Sequence, residues 1–201
     1  MYWVFCFFSA IFSYLFIDKD LAIYLNSHVF FLNLFKLFSF LIAPLNHLIL
    51  WGLLTMLSIH SLYKNSFKPV FTLLLTVLTY MFIAGILKIV IGRARPQFFI
   101  ETGFYGFSFL DGYHSYFRSF PSSHSATAFA LAYFFAKAKK PHLKKVIYLI
   151  ATLLVSSRLF LKEHYLSDLI LGGMIGVFSA RIVLNKIEQA ITLARLIVKR
   201  L

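Results

Sequence analysis

The sequence predicts an all-α integral membrane protein: a six-transmembrane-helix bundle with an interfacial helix after the first span and a basic amphipathic C-terminal helix. Three observations carry this. Apolar residues make up 60% of the 201 residues, 25 of them phenylalanine, where soluble domains hold about 45–50%. Charged residues are 13%, roughly half the usual ~25%. A soluble fold of this size cannot hide so much apolar surface beneath a polar skin. The apolar residues also fall in runs near the ~20 residues that cross a ~30 Å hydrocarbon core, with the basic residues between them.

Taken in order, the first run is Tyr2–Ile17, closed by Asp18, Lys19 and Asp20. No basic residue precedes it and no small-residue cleavage site follows, so it reads as a span and not a removed signal peptide. Between Asp20 and Ala43, Asn26, Asn33 and Lys36 share one helical stripe, which suits a helix lying in the interface. A sixteen-residue span from His28 to Ala43 is the alternative, and Pro44 ends either one. Further spans follow at Leu45–Leu62, Pro69–Ile91, Ser122–Ala138, Lys144–Leu161 and Leu166–Leu184. The tail 185–201 places Ile187, Ile191, Ala194, Ile197 and Leu201 on one face, with Lys186, Lys199 and Arg200 largely elsewhere. That pattern fits a basic helix on an anionic leaflet.

Charge orients the bundle. One set of loops and ends carries twelve positive residues, from Lys64 and Lys68 through Lys137, Lys139, Lys140, Lys144 and Lys145 to Arg181, Lys186, Arg195, Lys199 and Arg200, against Glu188 alone. The positive-inside rule makes that side cytoplasmic. The opposite side holds Lys88, Arg95, Arg118, Arg158, His124, His164 and Asp168, from separate stretches that map to one membrane edge. Ionisable residues there are costly and mark function.

Several classes fall away. The single cysteine, Cys6, rules out a disulfide framework and a thiolate cluster. The basic residues form no soluble patch, so nucleic acid is not expected as a partner despite the net charge of +13. Low complexity is excluded by the apolar content, and no internal repeat is visible. The expected organisation is one membrane-embedded domain over residues 1–201, with motifs at 88–96, 121–124 and 157–168.

In the first motif Lys88 and Arg95 are seven apart, so a continuous helix would place both on one face before Pro96 stops it. Two such cations form half of an anion clamp, or, read plainly, a snorkelling pair. The second motif, Arg118-Ser-Phe-Pro121-Ser122-Ser123-His124, runs into apolar residues 126–138 and carries helix-start signals. The free N–H groups of a helix start favour phosphate, and His124 would stand beside it as a proton donor; an ordinary capped helix is the plainer reading. In the third, His164 and Asp168 are four apart, helix neighbours if helical, and a carboxylate on one ring nitrogen leaves the other as nucleophile or base. Arg158 adds a guanidinium matched to phosphate oxygens. A structural Asp–His pair has the same spacing.

Lys-x6-Arg-Pro, Pro-Ser-x-His and Ser-Arg-x5-His-x3-Asp, in this order, resemble the three-part signature of the type 2 phosphatidic acid phosphatase family, related to the vanadium haloperoxidases. The family usually has Gly where this chain has Ser123, which alters pocket detail while keeping the backbone N–H. The resemblance implies a lipid phosphate or diphosphate phosphatase. Lys88, Arg95, Arg158, Ser122 and the Ser123–His124 backbone would hold the phosphate. His164 would form a phosphohistidine, oriented by Asp168, and His124 would protonate the leaving oxygen. No cofactor and no metal is expected, because Asp168 is the one carboxylate placed in the cluster, with Lys162 and Glu163 read as interface charges. Arg118 reads as a cation on the pocket rim, Gly172 and Gly176 as close helix packing, and His28, His47, His60, His114 and His142 receive no role.

The expected partners are a lipid phosphate substrate and the bilayer. Phosphatidic acid, phosphatidylglycerol phosphate, undecaprenyl diphosphate and lipid A phosphates all satisfy this reading, and oligomeric state stays open. A phosphotransferase would use the same site. A transporter or scaffold is the alternative of another class, although transporters commonly carry inverted repeats and mid-bilayer sites. A bacterial inner membrane is the expected location, with the site on the periplasmic face.

Overall fold

The computed structural model describes residues 2–27 and 68–198, together with Gly52 and Met56. The described residues form an all-helical assembly. In chain order these are α1 (Tyr2–Phe16), α2 (Asp18–Ser27), α3 (Lys68–Ile91), α4 (Pro96–Thr102), a 3-10 turn (Ser115–Phe117), α5 (Ser123–Ala136), α6 (Pro141–Phe160) and α7 (Leu166–Val198). An isolated antiparallel bridge joins Arg93 to Phe107.

Helix α7 is the hub, packing against α5, α1 and α3, while α5 also meets α6 and α3. Small residues make this possible. The buried side of α5 is alanine: Ala126, Ala130, Ala132 and Ala136. Facing them on α7 are glycines. A β-carbon on Gly172 would lie 2.4 Å from the Ser122 carbonyl oxygen, and one on Gly176 only 2.0 Å from that of Ala126. The expected close packing at Gly172 and Gly176 is therefore real, and main chain meets main chain there. Val77 and Tyr80 of α3 complete this core with Ala180, and the Tyr80 hydroxyl pairs with Thr127 Oγ1 at 2.8 Å. Thr72, Thr76 and Thr79 return their hydroxyls to carbonyls one turn back, each at 2.7 Å, which satisfies polar groups on an apolar helix.

The outside is as apolar as the inside. Phe5 and Phe82 are 71% and 70% exposed, with Phe8, Phe12, Leu78, Met81, Leu149 and Leu153 also outward. Two helices are long and apolar enough to cross a membrane: Lys68–Ile91 and Leu166–Ala194, with mean hydropathies of 2.3 and 1.6. Helices α1 and α5 have 15 and 14 residues, and α6 has 20.

The expected boundaries need two corrections, at the last span and at Pro96. The last span does not end at Leu184 with a separate tail helix after it; α7 runs unbroken for 33 residues, because no Gly or Pro interrupts 177–198. The helix following α1 is α2, ten residues long, and the rest of the interfacial stretch, like the expected span Leu45–Leu62, lies outside the described residues. Pro96 starts a helix instead of stopping one, standing at the first position of α4, where its missing N–H costs nothing. Helix α3 ends at Ile91, where the expected span ends.

The segment 92–95 is held by the loop after α4. Ser108 N–H donates to the Gly92 carbonyl at 2.7 Å and Leu110 N–H to that of Val90 at 3.1 Å. Ala94 N–H donates to Gly106 at 3.0 Å and Arg95 N–H to Tyr116 at 2.8 Å. The loop thereby supplies partners that the end of a helix otherwise lacks.

Candidate active site

The three motifs meet where the end of α3, the start of α5 and the α6–α7 turn converge. His164 is buried, and its Nδ1 lies 2.6 Å from the Ser119 carbonyl oxygen. A carbonyl only accepts, so Nδ1 carries the proton and Nε2 keeps its lone pair. Burial, followed by the positive fields of Lys88, His124 and Arg95, holds His164 well below the ordinary histidine pKa, so the ring is neutral at pH 7. The His124 ring stands 6.5 Å from it, centroid to centroid, in the first turn of α5.

Asp168 does not take the expected place on the histidine. Helix α7 begins at Leu166, leaving His164 before it, so the four-residue spacing does not set two neighbours on one helix face. Nδ1 and the nearest Asp168 oxygen are 4.0 Å apart. Asp168 instead accepts from Ser119 Oγ at 2.6 Å and from Tyr165 N–H at 2.9 Å, and it pairs with Arg93. It acts on the ring through Ser119, whose hydroxyl it holds and whose carbonyl orients His164.

Arg95 likewise leaves the helix carrying Lys88. It caps α4 in an extended conformation, φ −75° and ψ 153°, so the seven-residue spacing describes a turn out of α3 and not one face. Both cations nevertheless act electrostatically on His164. Lys88 Nζ donates to the carbonyls of Pro121 at 2.7 Å and Arg118 at 2.9 Å, which fastens the second motif to the first. The side chain of Arg118 is exposed, as a rim residue should be.

Ser122 is buried and caps α5, its Oγ accepting from Ser125 N–H at 3.4 Å while its own N–H donates to the Asp168 carbonyl. Its polar atoms are committed to the frame; Ser123 and His124, half-buried, line the first turn. Arg158 is buried with NH1 3.2 Å from Glu163 Oε2, while its Nε and NH2, and Nε of Arg95, find no hydrogen-bond partner. Buried guanidinium nitrogens without acceptors are costly, and an oxyanion satisfies them.

Besides Ser119, three residues escaped the sequence reading. Arg93, 2% exposed, bridges Asp18 Oδ2 at 2.8 Å, Ser167 Oγ at 2.7 Å and Asp168. Burial works against its charge, yet Asp168 and Asp18 more than offset this and raise its pKa. Tyr14, Tyr105, Phe107 and Tyr165 box it in, the last at 4.3 Å from ring centre. Asp18 also accepts from Ser13 Oγ and Ser167 N–H. Glu163, set aside as an interface charge, is the third: atoms of His124, Glu163 and His164 lie within 4.8 Å of one another. Such a trio has the makings of a metal site. Arg158 on the carboxylate, with Lys88 and Arg95 nearby, gives the pocket a positive balance suited to an anion.

The model of the PAP2 superfamily matches residues 69–191. A lipid A 1-phosphatase of Rhizobium johnstonii is 38% identical over 106 residues, 53% of this chain and 43% of that protein. One from Rhizobium etli is 38% identical over 94 residues, covering 47% and 40%. The chain thus spans less than half the length of these curated relatives. The crystal structure of Aquifex aeolicus LpxE superposes with a TM-score of 0.63 at 25% identity, covering 84% of this chain and 95% of that one.

Proposed function

The chain belongs to the PAP2 superfamily, and on that premise we propose that it is a membrane-embedded lipid phosphatase working through a phosphohistidine. The observation that carries the reading is a neutral, buried His164 with Nε2 available, in a site where buried guanidinium nitrogens of Arg95 and Arg158 lack acceptors. Phosphoryl transfer asks mainly for positioning and charge stabilisation, which such a pocket supplies.

In the proposed reaction Lys88, Arg95 and Arg158 bind the phosphoryl oxygens, helped by the Ser123–His124 backbone at the start of α5. Ser122 contributes by capping that start. Nε2 of His164 attacks phosphorus, the bond to the lipid oxygen breaks, and protonated His124 gives its proton to that oxygen. Water then attacks the phosphohistidine, His124 takes the water proton, and phosphate leaves with His164 restored. Asp168 holds Ser119, and through it the tautomer, as positive charge grows on the ring.

Among lipid phosphates, the likeness to two proteins named lipid A 1-phosphatase favours a lipid A phosphate as substrate. Membrane embedding is supported by the two apolar helices long enough to cross, and a site on the outer face by the segregation of lysine and arginine.

The test is phosphate release by the purified, detergent-solubilised protein from lipid A, phosphatidic acid, phosphatidylglycerol phosphate and undecaprenyl diphosphate, with EDTA present. Release that is greatest on lipid A and absent in His164→Ala is the expected outcome. Release that survives His164→Ala rules out this nucleophile.

A further inference from the structure

Glu163 is a carboxylate standing in an anion pocket. Lys162, at φ +58°, turns the chain just ahead of it, and its own N–H donates to the Arg158 carbonyl at 3.2 Å. Its carbonyl lies 3.3 Å from Ser119 Oγ, whose proton goes mainly to Asp168, so the backbone is tied to the third motif and lies against the Ser119 hinge. The side chain then reaches Arg158, Oε2 to NH1 at 3.2 Å, with one carboxylate oxygen within 4.8 Å of ring nitrogens on both His124 and His164. The carboxylate is 32% exposed while Arg158 is 3% exposed, so the acid has somewhere to go and the guanidinium does not.

A dianionic phosphoryl group cannot share this place with Glu163. It takes the remaining nitrogens of the same guanidinium and the same approach to the two rings, where a carboxylate oxygen already stands, and two anions at such range repel each other. Building on the phosphatase reading, we propose that Glu163 is an internal competitor for the phosphoryl site. It pairs with Arg158 in the resting protein and is displaced outward when a phosphoryl group binds. The competitor discriminates between ligands. A lipid phosphate gains further binding from its apolar chains and headgroup, which offsets the lost ion pair. Free inorganic phosphate has no such gain, so the returning carboxylate favours its release. Glu163 is in this sense a specificity residue, acting against the bare oxyanion.

The experiment is direct binding, by calorimetry on the full-length protein in detergent, of inorganic phosphate and of orthovanadate to the wild type and to Glu163→Gln. Phosphate release from the lipid panel is measured on the same preparations. A partly exposed ion pair contributes at most modestly, so both oxyanions are expected to bind about fivefold more tightly to Glu163→Gln. Glu163→Asp keeps the charge on a stem too short to hold Arg158 as well, and is expected to fall between the two. It also serves alone should the glutamine variant not fold. Unchanged or weaker oxyanion binding in whichever variant folds overturns the competitor. Tighter binding without phosphate release from any lipid sustains the competitor and sinks the phosphatase reading instead.

Discussion

Ser119 joins an acid to a base that do not touch. Its carbonyl takes the Nδ1 proton of His164 and its hydroxyl serves Asp168. Ser119→Ala removes only the second, leaving a buried carboxylate short of one donor, at a cost of about 1–3 kcal/mol. Stability should fall by that amount in denaturant titration. Activity should fall too, but far less than in His164→Ala, since the carbonyl still fixes the tautomer. The lowered pKa of His164 has a consequence of definite sign. Below about pH 6.5, the value of a histidine in the unfolded chain, the unfolded state takes up a proton that the folded state refuses. Stability therefore drops as pH falls through that value toward the lower folded pKa. Denaturant midpoints between pH 7.5 and 5 should show a shallower slope for His164→Gln than for the wild type. The candidate histidines, the three cations and Asp168 could be read from motif spacing because each motif is local in the chain. Ser119, Asp18 and Arg93 could not, since each earns its place only through partners dozens of residues away.

At the scale of elements, α5 and α7 approach so closely that glycine is required. Gly172→Ala and Gly176→Ala each drive a methyl group into a backbone carbonyl, which neither helix can yield by a side-chain rotation. Each should cost about 1–3 kcal/mol. They differ in reach. Gly172 faces Ser122, the residue that starts α5 and anchors to Asp168, so its replacement should also lower kcat. Gly176 faces Ala126 one turn further in, and its replacement should affect stability more than turnover. Comparing thermal midpoints with kcat for the two variants checks this. Periodicity and small-residue spacing made this packing legible in the sequence. They misjudged the helix ends. Lys88 and Arg95 were counted along one helix that in fact stops at Ile91, and the polar switch at Asn185 suggested a break that a helix without Gly or Pro has no cause to make.

Across the whole molecule, the buried Asp18–Arg93–Asp168 chain links the α1–α2 junction, the exit from α3 and the start of α7. Asp18 lies outside the region matched by the family model, which begins at residue 69. The N-terminal helices are thus bound to the candidate site by charge as well as by the packing of α1 on α7. Breaking a buried pair from one side costs about 3–5 kcal/mol. Asp18→Asn should lose stability of that order, and Arg93→Ala at least as much, since it leaves two carboxylates uncompensated. Chemical unfolding in detergent measures both. An Asp18→Asn variant as stable as the wild type would show that the junction is held by packing alone.

The loop that closes over residues 92–95 has an evolutionary implication. Its hydrogen bonds to the backbone of this segment are main chain to main chain, Tyr105 and Phe107 add side-chain contacts to Arg93, and the side chains of Phe109 and Tyr113 point away, 70% and 64% exposed. Their identities are consequently not committed to the fold. Leu110, at φ +67°, is less free, because that backbone conformation disfavours most side chains. Selection can rewrite positions 109 and 113 while the main-chain grip on 92–95 stays as it is. A lineage could vary this surface by two substitutions without first having to refold the candidate site beneath it.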